Sequence, residues 1–443
     1  KRKSQLVDLR HHRLLGGVSA GQLLLVQTSF VPDEYWQSLE VSTTWTGLRG
    51  FIYPLFFASI YKTLHFIGLD SVTVLIWFPR VMQALLASAA DVKMYFFTRS
   101  MENPRVAKWT YFCQLCSWFT WYCCTRTLSN TMETTLTSLA LTYYPLPGSK
   151  AHHRSEPLQA GVCILTPPPV PLSADYKVLS EWTLVQYNFL RFNVLHGSGR
   201  VLRLAPLALV PQPGLRSGRR AHLPFFLHGC SLASRRYRVL LVTIRLDPHG
   251  VQVSSEFRFI YPVLPFCMLF CGMSLAHLKA RRRAAAGVLL VANLLPALYT
   301  GLVHQRGALD VMTRLQELCE PPGPAGSPSP EVLFLMPCHS TPYYSHVHCP
   351  LRMRFLECPP DLGGAGYSEE ARVFYQDPLH WLSGAFPDRA ALPTHLVLFD
   401  VLEKDISGFL ESNKFTRTAE IFHSHFPEGR VGGNILVYER RVK

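Results

Sequence analysis

Apolar stretches with few or no charges recur throughout the first 303 residues of this chain, at 14–30, 51–69, 72–90, 109–145, 182–195, 222–244, 256–276 and 284–303. Roughly 20 such residues in a helix cross the hydrocarbon core of a bilayer, where a segment must satisfy its own backbone hydrogen bonds. The pattern predicts a mainly α, polytopic transmembrane helical bundle. The run at 109–145 is long enough for more than one pass, and that at 222–244 is interrupted by Arg235, Arg236 and Arg238. A cleaved signal would also fit 14–30. The spans behind it, and the lack of a small-residue cleavage pattern after Phe30, favour a retained helix. Mean hydropathy is +0.11 even though the C-terminal third is polar, so the remainder is more apolar still.

Basic flanks mark the cytoplasmic side of a span. Lys1, Arg2, Lys3, Arg10 and Arg13 precede the first stretch, and Lys279, Arg281, Arg282 and Arg283 precede the last. Both clusters are expected in the cytosol, which sends Val31–Trp36 and everything from His304 onward to the opposite face. The expected division is a multi-pass transmembrane domain over 1–303 and a small soluble α/β domain over 304–443. In the latter, 306–318 is amphipathic, 321–330 is a Pro/Gly/Ser loop, and 331–336, 394–402 and 434–438 are strand-like. The net charge of +14 is dispersed around the spans without an aromatic-interleaved basic face, which disfavours nucleic acid.

Cys319, Cys338, Cys349 and Cys358 all lie in this tail, where an oxidising compartment permits bridges. His339, His346 and His348 stand beside two of them and would suit zinc, but a turn-rich loop with surface histidines explains them as well, and no metal is expected. Cys113 and Cys116, in an apolar aromatic run, read as buried thiols.

Acidic residues are scarce in the apolar part, which draws attention to Asp33 and Glu34 at the exit of the first span. In an extended loop adjacent side chains point opposite ways, so one carboxylate can face a reaction while the other anchors the loop; Pro-Asp-Glu is equally ordinary first-turn helix chemistry. A second constellation runs from Arg126 to Glu133. In one helix Arg126, Asn130 and Glu133 would share a face, and intramembrane ions of this kind line a cavity or pair with each other. The third is Glu256-Phe257-Arg258-Phe259-Ile260-Tyr261, in which Arg258 can hold a phosphate at the membrane surface and Glu256 can pair with it or with a sugar. Arg80, after Trp77-Phe78-Pro79, reads as a snorkelling cation. Neither an Asp-x-Asp nor a Gly-x-x-x-x-Gly-Lys-[Ser/Thr] motif occurs, so no nucleotide-sugar metal site or ATPase cassette is suggested.

The strings SFVPDEYWQSLEV, GLRGFIYPLFFASIYK, RTLSNTMETTLTSLAL, EFRFIYPVLPFCM, GLVHQRGALDVM and MPCHSTPYYSHVHCPLRMRFLECPPDL, in this order, resemble the glycosylphosphatidylinositol (GPI) mannosyltransferase III family. That family belongs to the dolichol-phosphate-mannose-dependent, polytopic glycosyltransferases of the endoplasmic reticulum, of GT-C type. The resemblance implies an inverting enzyme that moves the third mannose, in α-1,2 linkage, from dolichyl phosphate mannose to the GPI precursor glycolipid on the lumenal face, with no cofactor. It implies Asp33 as general base and Glu34 as its neighbour orienting the acceptor. From charge and placement alone, substrate-binding roles are expected for Arg126, Asn130, Glu133, Glu256, Arg258 and Tyr261.

The chain departs from the family at bounded places. Ser42–Gly47 stands where a longer aromatic loop is expected, and foreign, Pro/Arg/Leu-rich texture fills 150–182, 198–220 and 245–255. These altered loops keep open an inactive homologue or a lipid-binding or transport protein as the alternative. No internal repeat of the kind common in transporters is visible.

Overall fold

A computed structural model describes residues 21, 24–29, 33–36, 38–40, 52–141, 221–233, 237, 261–319, 329–358 and 369–441. Glu256, Arg258, the stretch 182–195 and the segments 42–47, 150–182, 198–220 and 245–255 lie outside them. The chain divides into two compact units: Lys1–Val26, Gly47–Leu55 and Trp77–Gly301 form one, and Gln27–Thr46, Phe56–Ile76 and Leu302–Lys443 the other. A cut at 303/304 drawn from sequence does not anticipate that the acidic segment after the first apolar stretch is grouped with the tail.

Where they are described, the apolar stretches from 51–69 onward are mostly helical. A single turn, α1 (Asp33–Trp36), is followed by α2 (Ile52–Phe66), α3 (Val72–Met101), α4 (Pro104–Cys116), α5 (Trp118–Cys123), α6 (Ser129–Leu141), α7 (Leu223–Leu232), α8 (Leu264–His277) and α9 (Arg282–Leu302). The break between α3 and α4 is written locally: Asn103 accepts from the N–H groups of Arg105 and Val106, both at 3.0 Å, and Pro104 occupies the first helical position. Ser117 ends α4 and caps α5, so the long run at 109–145 becomes several shorter helices.

Among the described residues, two helical segments, Val72–Met101 and Lys279–Cys319, are long and apolar enough to cross a membrane. On α9, Val288, Val291 and Leu295 are each more than 60% exposed, whereas Leu289 and Asn293 are buried. A stripe of large aliphatic residues this exposed marks a face made for an apolar surrounding, since burying each such side chain is worth about 1.5–3 kcal/mol. The inner face of this first unit is a core of Met94, Phe97, Cys113, Leu269, Phe270 and Leu275 among others.

The second unit contains a five-stranded mixed sheet in the order β2-β1-β3-β5-β4. Its strands are β1 (Glu331–Leu335), β2 (Arg352–Phe355), β3 (His395–Phe399), β4 (Phe415–Phe422) and β5 (Asn434–Arg440). Strand β1 is parallel to both β2 and β3, and β5 is antiparallel to β3 and β4. Alternation splits the apolar residues between two cores. Leu333, Leu335, Leu396, Leu398 and Leu436 pack with helices α12 (Glu370–Gln376), α13 (Pro378–Ala385) and α14 (Asp400–Ser412). Val332, Phe334, Val397, Phe399, Ile435 and Val437 pack with α10 (Gly307–Gln316) and α11 (Tyr344–Val347). The strand read at 394–402 stops at Phe399, because Asp400 opens α14 and the apolar run continues into that helix.

Candidate active site

Asp33 and Glu34 are consecutive residues of one helical turn, not of an extended loop, so the opposite-facing arrangement expected from sequence is replaced by first-turn helix geometry. Glu34 is 1% exposed within the second unit. The turn is closed on its C-terminal side by three backbone N–H groups, those of Ser38, Leu39 and Glu40, which all donate to the Tyr35 carbonyl. Ser38 Oγ adds a bond to the Glu34 carbonyl at 3.1 Å.

The surface that receives this turn is the segment after β1. Trp36 lies 4.8 Å from the His339 ring, 5.3 Å from Tyr343 and 4.5 Å from Phe355, and its Nε1–H donates to the Thr341 carbonyl. Tyr35 meets His346 edge-on at 4.7 Å. Glu40, a carboxylate not singled out from sequence, accepts from the N–H of Tyr343 at 2.9 Å and of Ser345 at 2.8 Å through the same oxygen. Burial pushes its carboxyl above the usual range, while the bonds from Ser345 and Tyr343 pull it back toward the charged form. The only sequence signal was its place as the third acid of the string SFVPDEYWQSLEV.

Two disulfides staple this receiving segment: Cys338–Cys358 closes it, and Cys319–Cys349 ties it to the end of α10. With the sulfurs bonded to one another, the nearby Glu369 completes no thiolate set. His339 and His346 are buried against Trp36 and Tyr35, so the reading of surface histidines is corrected: their rings serve aromatic packing.

The remaining described candidates belong to the first unit. Arg126 is fully buried but precedes α6, so it does not continue that helix, and the shared face of Arg126, Asn130 and Glu133 is not formed. Its Nε donates to the Tyr122 carbonyl at 2.6 Å, and its guanidinium lies 4.1 Å from the Tyr122 ring centroid. Asn130 is buried in the first turn of α6, where Thr134 Oγ1 donates to its carbonyl, whereas Glu133 is exposed. The break has a plain cause: Thr125 to Leu128 leave helical geometry, and Thr131 Oγ1 reaches back to the Cys123 carbonyl across it. Tyr261 is buried and meets Phe119 of α5 at 6.0 Å, so Arg126 and Tyr261 both pack on that short helix. Arg80 is also buried, donating to the Val26 carbonyl and lying 5.1 Å from the Trp77 ring; the snorkelling expectation is corrected, because a carbonyl and an aromatic face inside the unit replace water.

The model of the Alg9-like mannosyltransferase family matches residues 20–167 and 150–348. The chain belongs to the Alg9-like mannosyltransferase family. This membrane glycosyltransferase is 53% identical to the GPI alpha-1,2-mannosyltransferase 3 of Danio rerio over 94% of its own length and 87% of that protein's. It is 51% identical to the Homo sapiens protein of the same name over 95% and 85%. ArnT from Cupriavidus metallidurans, at 12% identity, aligns with a TM-score of 0.51 over 99% of this chain and 98% of its own, and so shares its fold. ArnT bound to undecaprenyl phosphate gives a TM-score of 0.50. The Danio alignment runs over 478 residues, more than the 443 of this chain, so the relative carries segments that are shortened here. The family match also restarts at 150, within the foreign-textured stretch read from sequence. Relatives and family alike are mannosyltransferases, which favours the enzyme over the transport or binding alternative.

Proposed function

We propose that this mannosyltransferase transfers the third mannose, in α-1,2 linkage, from dolichyl phosphate mannose to the GPI precursor on the lumenal face of the endoplasmic reticulum membrane. The observation that carries the reading is the identity of 51–53% over 94–95% of the chain to proteins named for that transfer. A lipid-linked sugar donor also suits the fold, since ArnT is bound to a polyprenyl phosphate.

The chemistry follows from the donor. A phosphate leaving group needs little protonation, so one carboxylate that takes the proton of the acceptor hydroxyl as it attacks the sugar carbon suffices, with inversion at that carbon. Asp33 is the proposed base. Glu34, buried in its unit, is proposed to anchor the turn and orient the acceptor. Arg258 is proposed to stabilise the phosphate as charge develops on it, with Glu256 as its partner. Arg126, Asn130, Glu133 and Tyr261 are proposed to shape the donor cavity. No cofactor or metal enters the scheme. The tail from His304 onward is proposed to be the lumenal α/β domain, and 1–303 the transmembrane catalytic domain.

The test is restoration of GPI-anchored proteins at the surface of cells that lack this transferase. The parent chain restores them, and Asp33→Asn, nearly isosteric, abolishes restoration at equal protein level. Full restoration by Asp33→Asn overturns the base assignment, and failure of a stably inserted parent chain overturns the activity.

A further inference from the structure

We propose that Glu40 is a positioning residue for the transfer: its carboxylate fixes the acidic turn Asp33–Trp36 on the disulfide-closed segment 338–358, so the tail sets where the base stands. The inference rests on the mannosyl-transfer reading and adds to it a residue that never touches substrate.

Two independent sets of bonds make Glu40 rigid with the turn. Its backbone N–H donates to the Tyr35 carbonyl at 2.9 Å, in the middle of α1, and Leu39 donates to the same oxygen at 2.8 Å. Its side chain then crosses to the far segment, where one oxygen accepts two successive donors, Tyr343 N–H and Ser345 N–H, 303 and 305 residues away. Nine-tenths of Glu40 is buried. A carboxylate in such a place is costly unless hydrogen-bonded, and the two N–H groups are equally costly to leave unmade. The pairing is therefore specific in geometry: a longer or shorter side chain either clashes or leaves both donors empty. Trp36 supplies the second tether from the same turn through its bond to Thr341. Two tethers from one turn, at Trp36 and Glu40, fix the turn's translation and its rotation together. Displacement of a reacting group by about 1 Å costs on the order of 10²-fold in rate, and this clamp is what opposes such a displacement for Asp33.

The role depends on an acceptor oxygen at the right reach and not on charge, and the choice of variants exploits that. Glu40→Gln keeps the reach and one acceptor oxygen for both N–H groups. Glu40→Asp keeps the charge but falls one methylene short. The full-length protein is purified in detergent with dolichyl phosphate mannose as donor, and kcat and KM are measured per folded molecule. Glu40→Gln is expected to retain at least about a third of kcat, and Glu40→Asp to lose on the order of 10²-fold in kcat with KM for the donor within about threefold. The reverse order, with Asp active and Gln inactive, overturns the proposal, because the charge would then be what acts. Equal activity of Asp, Gln and parent also overturns it. If the folded parent transfers no mannose from this donor, the functional reading itself fails, and that result is distinct from either pattern of variants.

Discussion

The indole Nε1–H of Trp36 donates a 2.8 Å hydrogen bond to the carbonyl of Thr341, joining positions 305 residues apart. The indole is 6% exposed, and the recess beside it among His339, Tyr343 and Phe355 holds no more than a water molecule. Trp36→Phe keeps an aromatic ring and leaves the Thr341 carbonyl without this donor, at about 1–3 kcal/mol. Trp36→Ala also empties the ring site, at about 3–5 kcal/mol. Thermal unfolding of the purified full chain should rank parent above Phe above Ala. A midpoint for Trp36→Ala equal to the parent's would remove Trp36 from the clamp.

What the sequence conveyed and what it concealed divide along physical lines. Apolar runs near 51–69, 72–90 and 284–303 became α2, α3 and α9 because burial in lipid or protein needs no long-range information. The strands β2 and β4 were missed. Both are edges of the sheet, with mixed burial along their length, so they lack the apolar signal that revealed β1, β3 and β5. The Arg126 break was hidden by a sequence that reads as continuous helix, and it depends on the reach of Thr131 back to Cys123. Glu40 was invisible for the opposite reason: its partners at Tyr343 and Ser345 are local to nothing in its own string.

The pairs Cys319–Cys349 and Cys338–Cys358 should resist alkylation in native membranes until a reductant is added, because such bridges persist on the oxidising side of a membrane. The double change Cys338→Ser with Cys358→Ser should destabilise the second unit by about 2–4 kcal/mol and lower mannosyl transfer, since this bridge closes the segment on which Trp36 and Glu40 are seated. Alkylation of all four without reductant, followed by mass spectrometry, would be the contrary result.

His423 is buried beside Phe399, its backbone N–H donating to the Gly433 carbonyl at 2.8 Å and its backbone carbonyl accepting from the Gln305 N–H at 2.9 Å. Burial, with the His304 charge second, lowers its imidazole from 6.5 to about 4. A depressed base stays neutral in the folded chain while the unfolded chain takes up a proton below the ordinary value. Its stabilisation is therefore complete above pH 6.5 and is lost as pH falls from 6.5 to about 4. The loss amounts to about 3 kcal/mol at the lower end. Unfolding midpoints measured between about pH 7 and pH 5 should fall in the parent and fall less in His423→Gln. Parallel slopes for the two would show that another group carries the dependence.

Helix packing in the first unit turns on two glycines of α7 and α8. A Cβ on Gly272 would stand 2.2 Å from Thr110 Oγ1 and 2.6 Å from Thr110 Cα, and one on Gly229 would stand 1.9 Å from the Phe270 carbonyl oxygen. Backbones this close leave no room for a side chain, so small residues are what let the helices approach and gain van der Waals contact along their length. Gly287 on α9 is the internal control, with nothing within 4 Å of its notional Cβ. Gly287→Ala should leave the folded yield unchanged or raise it, by up to about 1 kcal/mol of helix propensity. Gly272→Ala gains the same propensity but must push α8 away from α4 at Thr110, so its sign should invert. Size-exclusion profiles of the tagged full chain in mild detergent read the difference as a loss of the monodisperse peak for Gly272→Ala beside an intact one for Gly287→Ala. Matching profiles would mean that the helices part at Thr110 without cost and that close approach is not what holds α4 to α8.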